Sequence, residues 1–572
     1  MKRSWCRFAG KNRPNARTVS KQGSARPAVA LAKGRCGYCC INCSVQTIPV
    51  EFFRRKRQPF RRSTLATMAT NPQRNMRSSS AILLALCLCL SNNASASNFT
   101  DFFGSRFNGV QTARTGLAPK NALDSIHRWN TIAINASGLD HTPLAPGEIR
   151  TFGEQLGPGR SSRAMAIVHI AIFDSVNAVL GGYQSYTGIQ PVKPPVSLDA
   201  AVAQAAHDTL AALYPSQASA FDSLLADDLA KINNKNERAN GVSLGQRAAA
   251  AILTLRTNDG AQVPEPRLGV NYFTSDQPGH WRQDPISLLP IALGAHWGEC
   301  KTFVVQSSSQ FRVPPPPAMN TADYTAAYNE VKSVGGDGVH TPTTRTPEQS
   351  FIGIFWAYDG TPSLCAPPRL YNQITVHIAD QMHLGTLDLA RLLALANTAM
   401  ADTGMTVWDS KYYYDFWRPV TGIRESDLGT GPTGLGDGNA WTVGDPTFTP
   451  MGAPASNLTG PNFTPPFPSY PSGHGGFGGA LFQTFRRFFG TDNIAFTFVS
   501  DEFNGVTKDN SGNVRPLMPR SFSSFSQAEE ENGQSRIYLG IHWSFDKTQA
   551  IAQGRNVANY VFDHAFTPVS KH

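Results

Sequence analysis

The chain has 572 residues with 51 Lys plus Arg against 41 Asp plus Glu, a formal charge of +10 that is unevenly distributed. Residues 1–96 hold 18 bases and one acid, Glu51, whereas the remaining 476 residues hold 33 bases and 40 acids. The body is therefore acidic, so the overall basic charge gives no support for a nucleic-acid partner.

Residues 1–75 read as a basic extension or an overlong gene start. Arg74 and Arg77 then precede an apolar run, Ala81–Leu90, and small residues ending at Ala96, which is the pattern of a secretory signal peptide over 76–96. That run is about half the length of a bilayer-spanning helix, and no later stretch reaches ~18 uninterrupted apolar residues. A secreted protein without stable membrane insertion is expected. Seven of the nine cysteines lie in this leader; Cys300 and Cys365 remain as two thiols that one disulfide could join. Asn98, Asn135, Asn457 and Asn462 each begin an Asn-x-Ser/Thr glycosylation triplet.

Apolar residues at helical spacing predict helices over Ser161–Leu180, Leu198–Tyr214, Ala218–Ile232 and Gly241–Thr257. Further helices are predicted over Gln349–Ala357, Arg369–Met382, Leu384–Met400, Gly476–Phe489 and Glu529–Phe566. Long Pro- and Gly-rich loops join them, and no regular series of alternating segments suggests a sandwich or barrel. The expected fold is all-α, with two helical-bundle halves over 97–335 and 336–572. The boundary is placed near the Pro314–Pro317 run and the Gly335–Gly338 loop.

Three strings in the second half carry groups that bind an oxyanion. In the first, Lys411 and Arg418 are seven residues apart, so on a continuous helix both would project from nearly one face. A guanidinium forks two oxygens and an ammonium acts as a point charge. In the second, Pro471-Ser472-Gly473-His474, a helix N-terminus offers Ser472 and the Gly473 N–H to an anion and presents His474 for proton transfer; Ser472 would equally serve as an ordinary N-cap. In the third, Asp546 follows His542 by four residues, one helical turn, and can hold its distal nitrogen. On the same ideal helix Arg536 would point roughly 120° away from His542.

Together these strings resemble the signature shared by vanadium-dependent haloperoxidases and type-2 phosphatidic acid phosphatases. Phe355–Gly360, Pro367–Gln373, Trp408–Lys411 and Phe467–Pro471 look more specifically like the chloroperoxidase branch, and the similarity covers roughly 345–566. The resemblance implies two four-helix bundles, vanadate as cofactor, and hydrogen peroxide, halide and small organic molecules as substrates. It assigns His542 as the vanadate ligand and His474 as the acid–base residue. Lys411, Arg418, Ser472, Gly473 and Arg536 match positions that hydrogen-bond the other vanadate oxygens. Asp359 matches a partner of Arg536, and Trp408 and Phe467 match aromatics beside a halide site. One departure is the glycine run Gly475–Gly479, interrupted by Phe477, which weakens a helix start and bears on how His474 is held.

The same cage also suits phosphate, since phosphate and vanadate share charge and shape. The alternative is thus a soluble acid phosphatase in which His542 attacks phosphorus, forming a phosphohistidine, and His474 protonates the leaving group. A non-catalytic anion-binding protein is the remaining alternative. Oligomeric state and halide preference have no signature in the sequence.

Overall fold

The computed structural model describes residues 98–110, 116–119, 121–122 and 124–569. The basic extension, the signal peptide and the leader cysteines expected within 1–96 lie outside the described residues. Helices α1 (Phe99–Phe103), α2 (Ser125–Asp140), α3 (Gly157–Leu180), α4 (Leu198–Leu213), α5 (Ala218–Ala230), α6 (Lys235–Leu255) and α7 (Ala322–Val334) come first. Then follow α8 (Pro347–Phe355), α9 (Pro368–Gln381), α10 (Thr386–Tyr414), α11 (Pro419–Arg424), α12 (Gly473–Phe489), α13 (Phe525–Tyr538) and α14 (Ser544–His564). Strands β1 (Asn108–Val110) and β2 (Leu458–Thr459) pair antiparallel, as do β3 (Phe496–Asn504) and β4 (Leu517–Phe522).

The fold is mainly α-helical, as the periodicity predicts. Helices α2, α3, α4 and α6 pack as one four-helix group and α10, α12, α13 and α14 as another, joined where α3 lies along α10. One apolar cluster runs from Phe102 to Phe566 and takes residues from both groups. Among the described residues only α3 is long and apolar enough to cross a membrane; 89% of its apolar window is buried within the protein, which makes it a core helix. Helix α10 is equally enclosed, with nearly every side chain from Leu389 to Lys411 buried. A second apolar cluster, built around Tyr324, Tyr328, Trp417 and Trp543, underlies the loops that carry Arg418 and His542.

Several predicted helices begin a few residues earlier, α6 by six, and two change more deeply. Leu384–Met400 continues to Tyr414, and the helix stops where Asp415 turns left-handed at φ 49°. Glu529–Phe566 is two helices, broken at Gly540, whose φ of 72° only glycine adopts readily. The glycine run at the start of α12 has a packing cause. A Cβ on Gly476 would lie 2.7 Å from Val407 of α10, one on Gly479 would lie 2.6 Å from the Ile551 carbonyl of α14, and one on Gly478 would meet Asn532 of α13 at 2.2 Å. These glycines let α12 approach three neighbours closely, and the helix start is fixed by them.

Gly554 of α14 answers across the same contact, where an added methyl would sit 2.1 Å from the Gly476 carbonyl. Gly554→Ala is therefore expected to destabilise the fold by about 1–3 kcal/mol, as overpacking does. Urea unfolding of the purified variant measures this, and unchanged stability would show that the helices separate freely.

Cys300 and Cys365 are both free and buried, so no disulfide joins these two. Asn457 is 1% exposed and donates from Nδ2 to the Pro362 carbonyl at 2.8 Å, which excludes it as a glycosylation site in the folded chain.

Candidate functional site

The alternating directions of the second bundle bring four helix ends to one place. Lys411 stands in the last turn of α10 and Arg536 in the last turn of α13, while Ser472, Gly473 and His474 begin α12 and His542 lies one residue before Trp543, the N-cap of α14. The two N-termini present unsatisfied N–H groups and a positive dipole. The two C-termini would repel an anion, but each carries a cation in its last turn.

Two of the spacings act through turns rather than along one helix. Lys411 and Arg418 do not share a helix: α10 ends at Tyr414, and Arg418 is the residue before α11. Their convergence comes from the turn at Asp415. His542 likewise lies in the loop between α13 and α14, so the ideal-helix angle to Arg536 does not apply. Asp546 nonetheless reaches His542, because it occupies the first turn of α14 and folds back over that loop.

Each charged group is held in a defined way. Lys411 is 0% exposed and donates from Nζ to the Pro468 and Ser469 carbonyls at 2.8 and 2.9 Å, leaving one of its three N–H groups. Arg418 donates to the Phe467 carbonyl from Nε and to the Ile541 carbonyl from Nη1. Its Nη1 also donates to His542 Nε2 at 2.9 Å. A guanidinium has no lone pair to offer, so His542 Nε2 is the acceptor and the ring proton sits on Nδ1. That Nδ1–H donates to Asp546 Oδ2 at 2.7 Å. The same carboxylate oxygen accepts from Ser469 Oγ at 2.5 Å and from the Trp543 N–H at 3.1 Å. His542 is thus a neutral imidazole with its Nε2 lone pair turned toward the cations.

Arg536 donates from Nη2 to Asp359 Oδ1 at 2.6 Å. Its Nε and Nη1, together with Asp359 Oδ2, are buried without a hydrogen-bond partner. His474 Nε2 lies 2.5 Å from the Ala357 carbonyl, so that nitrogen carries the proton and Nδ1 has the lone pair. Ser472 Oγ caps α12 by accepting from the Gly475 N–H at 3.3 Å, and its hydroxyl hydrogen remains to be donated. A Cβ on Gly473 would come within 3.3 Å of the Trp408 ring. Every candidate site residue named from the sequence falls within this region.

Three cations face two carboxylates here, and burial, with the neighbouring charges second, shifts the groups. Burial, then Arg418, pushes the Lys411 ammonium well below its usual range. Burial pushes Arg418 down to about 9, with Arg536 adding to the effect. His542 and His474 are both pushed well below the ordinary imidazole value, first by burial and then by the neighbouring guanidiniums. Burial pushes Asp359 up and Asp546 up to about 6, against the pull of Arg536 on the first and of Ser469 and Lys411 on the second. This is a buried cage that a multiply charged anion would neutralise.

Several positioning groups have no side-chain signature in the sequence. The Ala357, Pro468 and Ser469 carbonyls act through the backbone. Segment 355–359, which supplies both the Ala357 carbonyl and Asp359, is tied to β3: Ser500 Oγ donates to the Phe355 carbonyl at 2.7 Å, and the Asp501 N–H donates to Tyr358 Oη at 2.6 Å. Beside the cage lies a narrow recess of about 40 Å³ lined by Asp359, His474, Arg536 and His542 together with apolar side chains. Trp408 and Phe467, 4.9 Å apart between ring centroids, form one wall. Lys411 Nζ lies 4.9 Å from the Phe467 ring centre.

Residues 391–571 match the family model described as the VCPO second helical-bundle domain. The chain is 30% identical over 504 residues to vanadium chloroperoxidase of Curvularia inaequalis, an alignment covering 74% of this chain and 79% of that protein. Its fold is similar to that of a crystal structure described as the first bacterial vanadium-dependent iodoperoxidase, with a TM-score of 0.60 at 23% identity over 81% of this chain and 100% of the other. A holo-type bacterial vanadium-dependent chloroperoxidase is similar with a TM-score of 0.53 at 18% identity, over 74% of this chain and 95% of the other.

Proposed function

The chain belongs to the vanadium haloperoxidases, and from that premise we propose that it oxidises bromide and chloride with hydrogen peroxide, using vanadate held in the buried cage. The observation that carries this reading is the set of buried donors left without partners beside a neutral imidazole nitrogen. Arg536 Nε and Nη1 are unpaired, one Lys411 N–H is spare, and the His542 Nε2 lone pair is held only by Arg418 Nη1. An oxyanion that takes a nitrogen ligand fits this donor set, whereas an anion that only accepts hydrogen bonds would leave the imidazole lone pair facing it.

Bound vanadate would supply Lewis acidity toward peroxide without a change of valence. The protein's part follows from its own atoms. Asp546 holds the proton on His542 Nδ1 and so keeps Nε2 free to ligate. Vanadate ligated there would take the place of the Arg418 hydrogen bond, and Arg418, Arg536, Lys411, Ser472 and the Gly473 N–H would hold its oxygens, with Asp359 orienting Arg536. His474, neutral and with its lone pair on Nδ1, takes a proton from incoming hydrogen peroxide and returns it to the oxygen that leaves as water. The net change is hydrogen peroxide, halide and one proton giving hypohalous acid and water. Trp408 and Phe467 keep water from the halide and lower the local dielectric, which strengthens the Lys411 field.

Because the reaction consumes a proton and chloride is harder to oxidise than bromide, bromide turnover is expected across pH 4–8 and chloride turnover toward the acid end. Steady-state halogenation of a phenolic dye by the vanadate-loaded protein measures both. Bromination with no chlorination at any pH would restrict the proposal to bromide. Hydrolysis of p-nitrophenyl phosphate with neither halogenation would replace it with the phosphatase alternative.

A further inference from the structure

The two halves of the cage, its cations and its imidazole, stand on different segments, and one residue joins them. The carbonyls of Phe467, Pro468 and Ser469 follow one another in the chain and all accept from cage cations: Phe467 from Arg418 Nε at 2.9 Å, Pro468 and Ser469 from Lys411 Nζ at 2.8 and 2.9 Å. Ser469 is fully buried, and its N–H donates to the Phe416 carbonyl at 2.8 Å, just past the turn that ends α10. Its hydroxyl crosses to the other half and donates to Asp546 Oδ2 at 2.5 Å, with Oγ 3.4 Å from His542 Nδ1. Asp546 Oδ1 is buried without a partner, so Oδ2 alone takes the bonds from Ser469, His542 and the Trp543 N–H. The last two donors belong to the same loop as the ring they steady. The Asp546 carbonyl accepts from the Ser472 N–H at 3.1 Å, but a backbone bond leaves the carboxylate free to turn. Among the described residues, Ser469 therefore supplies the one hydrogen bond to that carboxylate from outside residues 542–546.

We propose that Ser469 is a positioning residue for vanadate, acting through Asp546 to fix the His542 ring relative to the Lys411 and Arg418 cations that must grip the same anion; the proposal rests on the haloperoxidase reading. A metal ligand has to present its lone pair within a narrow range of directions, and an imidazole is aimed by whatever holds its other nitrogen. Asp546 holds Nδ1, but a carboxylate pinned only from its own turn can swing about its side-chain bonds and take the ring with it. The Ser469 hydroxyl stops that swing. Because the carbonyl of the same residue carries Lys411, the ring is fixed to that cation and not only to α14. The effect is selective between anions. Sulfate, which only accepts hydrogen bonds, relies on the guanidiniums, Lys411, Ser472 and the helix N-termini, none of which is bonded to the Ser469 hydroxyl. Vanadate also takes the Nε2 lone pair, so it alone depends on where the ring points.

The test has two arms. Titration calorimetry of the vanadate-free full chain compares orthovanadate and sulfate on wild type, Ser469→Ala and Ser469→Cys, the last of which fills the serine's space with a weak donor. Both variants are expected to lose about tenfold or more in vanadate affinity, as loss of a group behind a metal ligand does, and to keep wild-type sulfate affinity. Equal vanadate affinity in wild type and Ser469→Ala overturns the proposal. Wild-type vanadate affinity in Ser469→Cys does the same, because filled space then suffices, and so does a parallel fall for both anions, which marks a general loosening of the cage. The second arm needs no anion. In proton NMR the His542 Nδ1–H, identified by its absence from His542→Ala, is expected as a downfield signal slow to exchange with water in wild type and broadened by exchange in both Ser469 variants. A signal unchanged in the variants overturns the proposal. If wild type takes sulfate and no vanadate, the haloperoxidase reading falls, and this second arm still decides whether Ser469 holds the ring. Ser469→Cys conserves volume and so carries the test if Ser469→Ala folds poorly.

Discussion

His542→Ala is expected to abolish retention of vanadate, with a loss in affinity exceeding the roughly 10- to 100-fold typical of removing a group that merely supports a metal ligand. The substitution deletes the neutral Nε2 lone pair that faces Arg418, leaving an anion held by hydrogen bonds alone. It also orphans Asp546 Oδ2 from one of its three donors, while Ser469 and the Trp543 N–H remain to hold it. Asp546→Asn should fall between wild type and His542→Ala, because it frees the tautomer without removing the ligand. Titration calorimetry with orthovanadate measures all three proteins, and equal affinity of wild type and His542→Ala would refute the ligand assignment.

His474→Ala is expected to slow turnover by about 10²- to 10⁴-fold, the usual cost of losing a positioned acid–base group, while most vanadate binding survives. The fold should persist because the contacts that anchor the start of α12 are made by backbone and neighbours. The His474 carbonyl accepts from Asn532 Nδ2 at 2.8 Å and from Tyr371 Oη at 3.3 Å, and neither bond involves the imidazole. The diagnostic is the pH–rate profile of the loaded enzyme, since a merely structural role would lower the rate without changing its shape. A profile identical to that of wild type would place proton transfer on another group.

Chemistry concentrated in side chains is the part most legible in the sequence. Lys411, Arg418, Ser472, Gly473, His474, Arg536, His542 and Asp546 were legible because their types and order repeat a known signature. Their geometry was not. Seven residues between Lys411 and Arg418 suggested two helical turns, but Asp415 takes a left-handed turn that no periodicity announces. The continuous helix expected from Glu529 to Phe566 concealed Gly540, whose break places His542 in a loop where it faces Arg418. Glycines near the start of α12 looked like a weakness by local propensity, and only packing against α10, α13 and α14 shows what they permit.

Other elements were missed because their signal is weak or distributed. Helix α2 (SIHRWNTIAINASGLD) is buried on most of its faces, so its apolar residues show little one-sided periodicity. Strand β3 alternates buried and exposed residues from Phe496 to Ser500, yet a lone hairpin does not produce the repeated pattern of a β fold. The carbonyls that hold Lys411 and His474, and the Phe102 and Phe103 walls from α1, could be found only in three dimensions.

The central claim is that one buried cage of three cations and a neutral His542 binds vanadate and with it drives halide oxidation. Its most direct test is to titrate the metal-free chain with orthovanadate while following peroxide-dependent bromination of a phenolic dye. The expected result is no bromination without vanadate and a rate that rises to saturation at one vanadium per chain. Bromination independent of vanadate, or none at any loading by a folded protein, would contradict it.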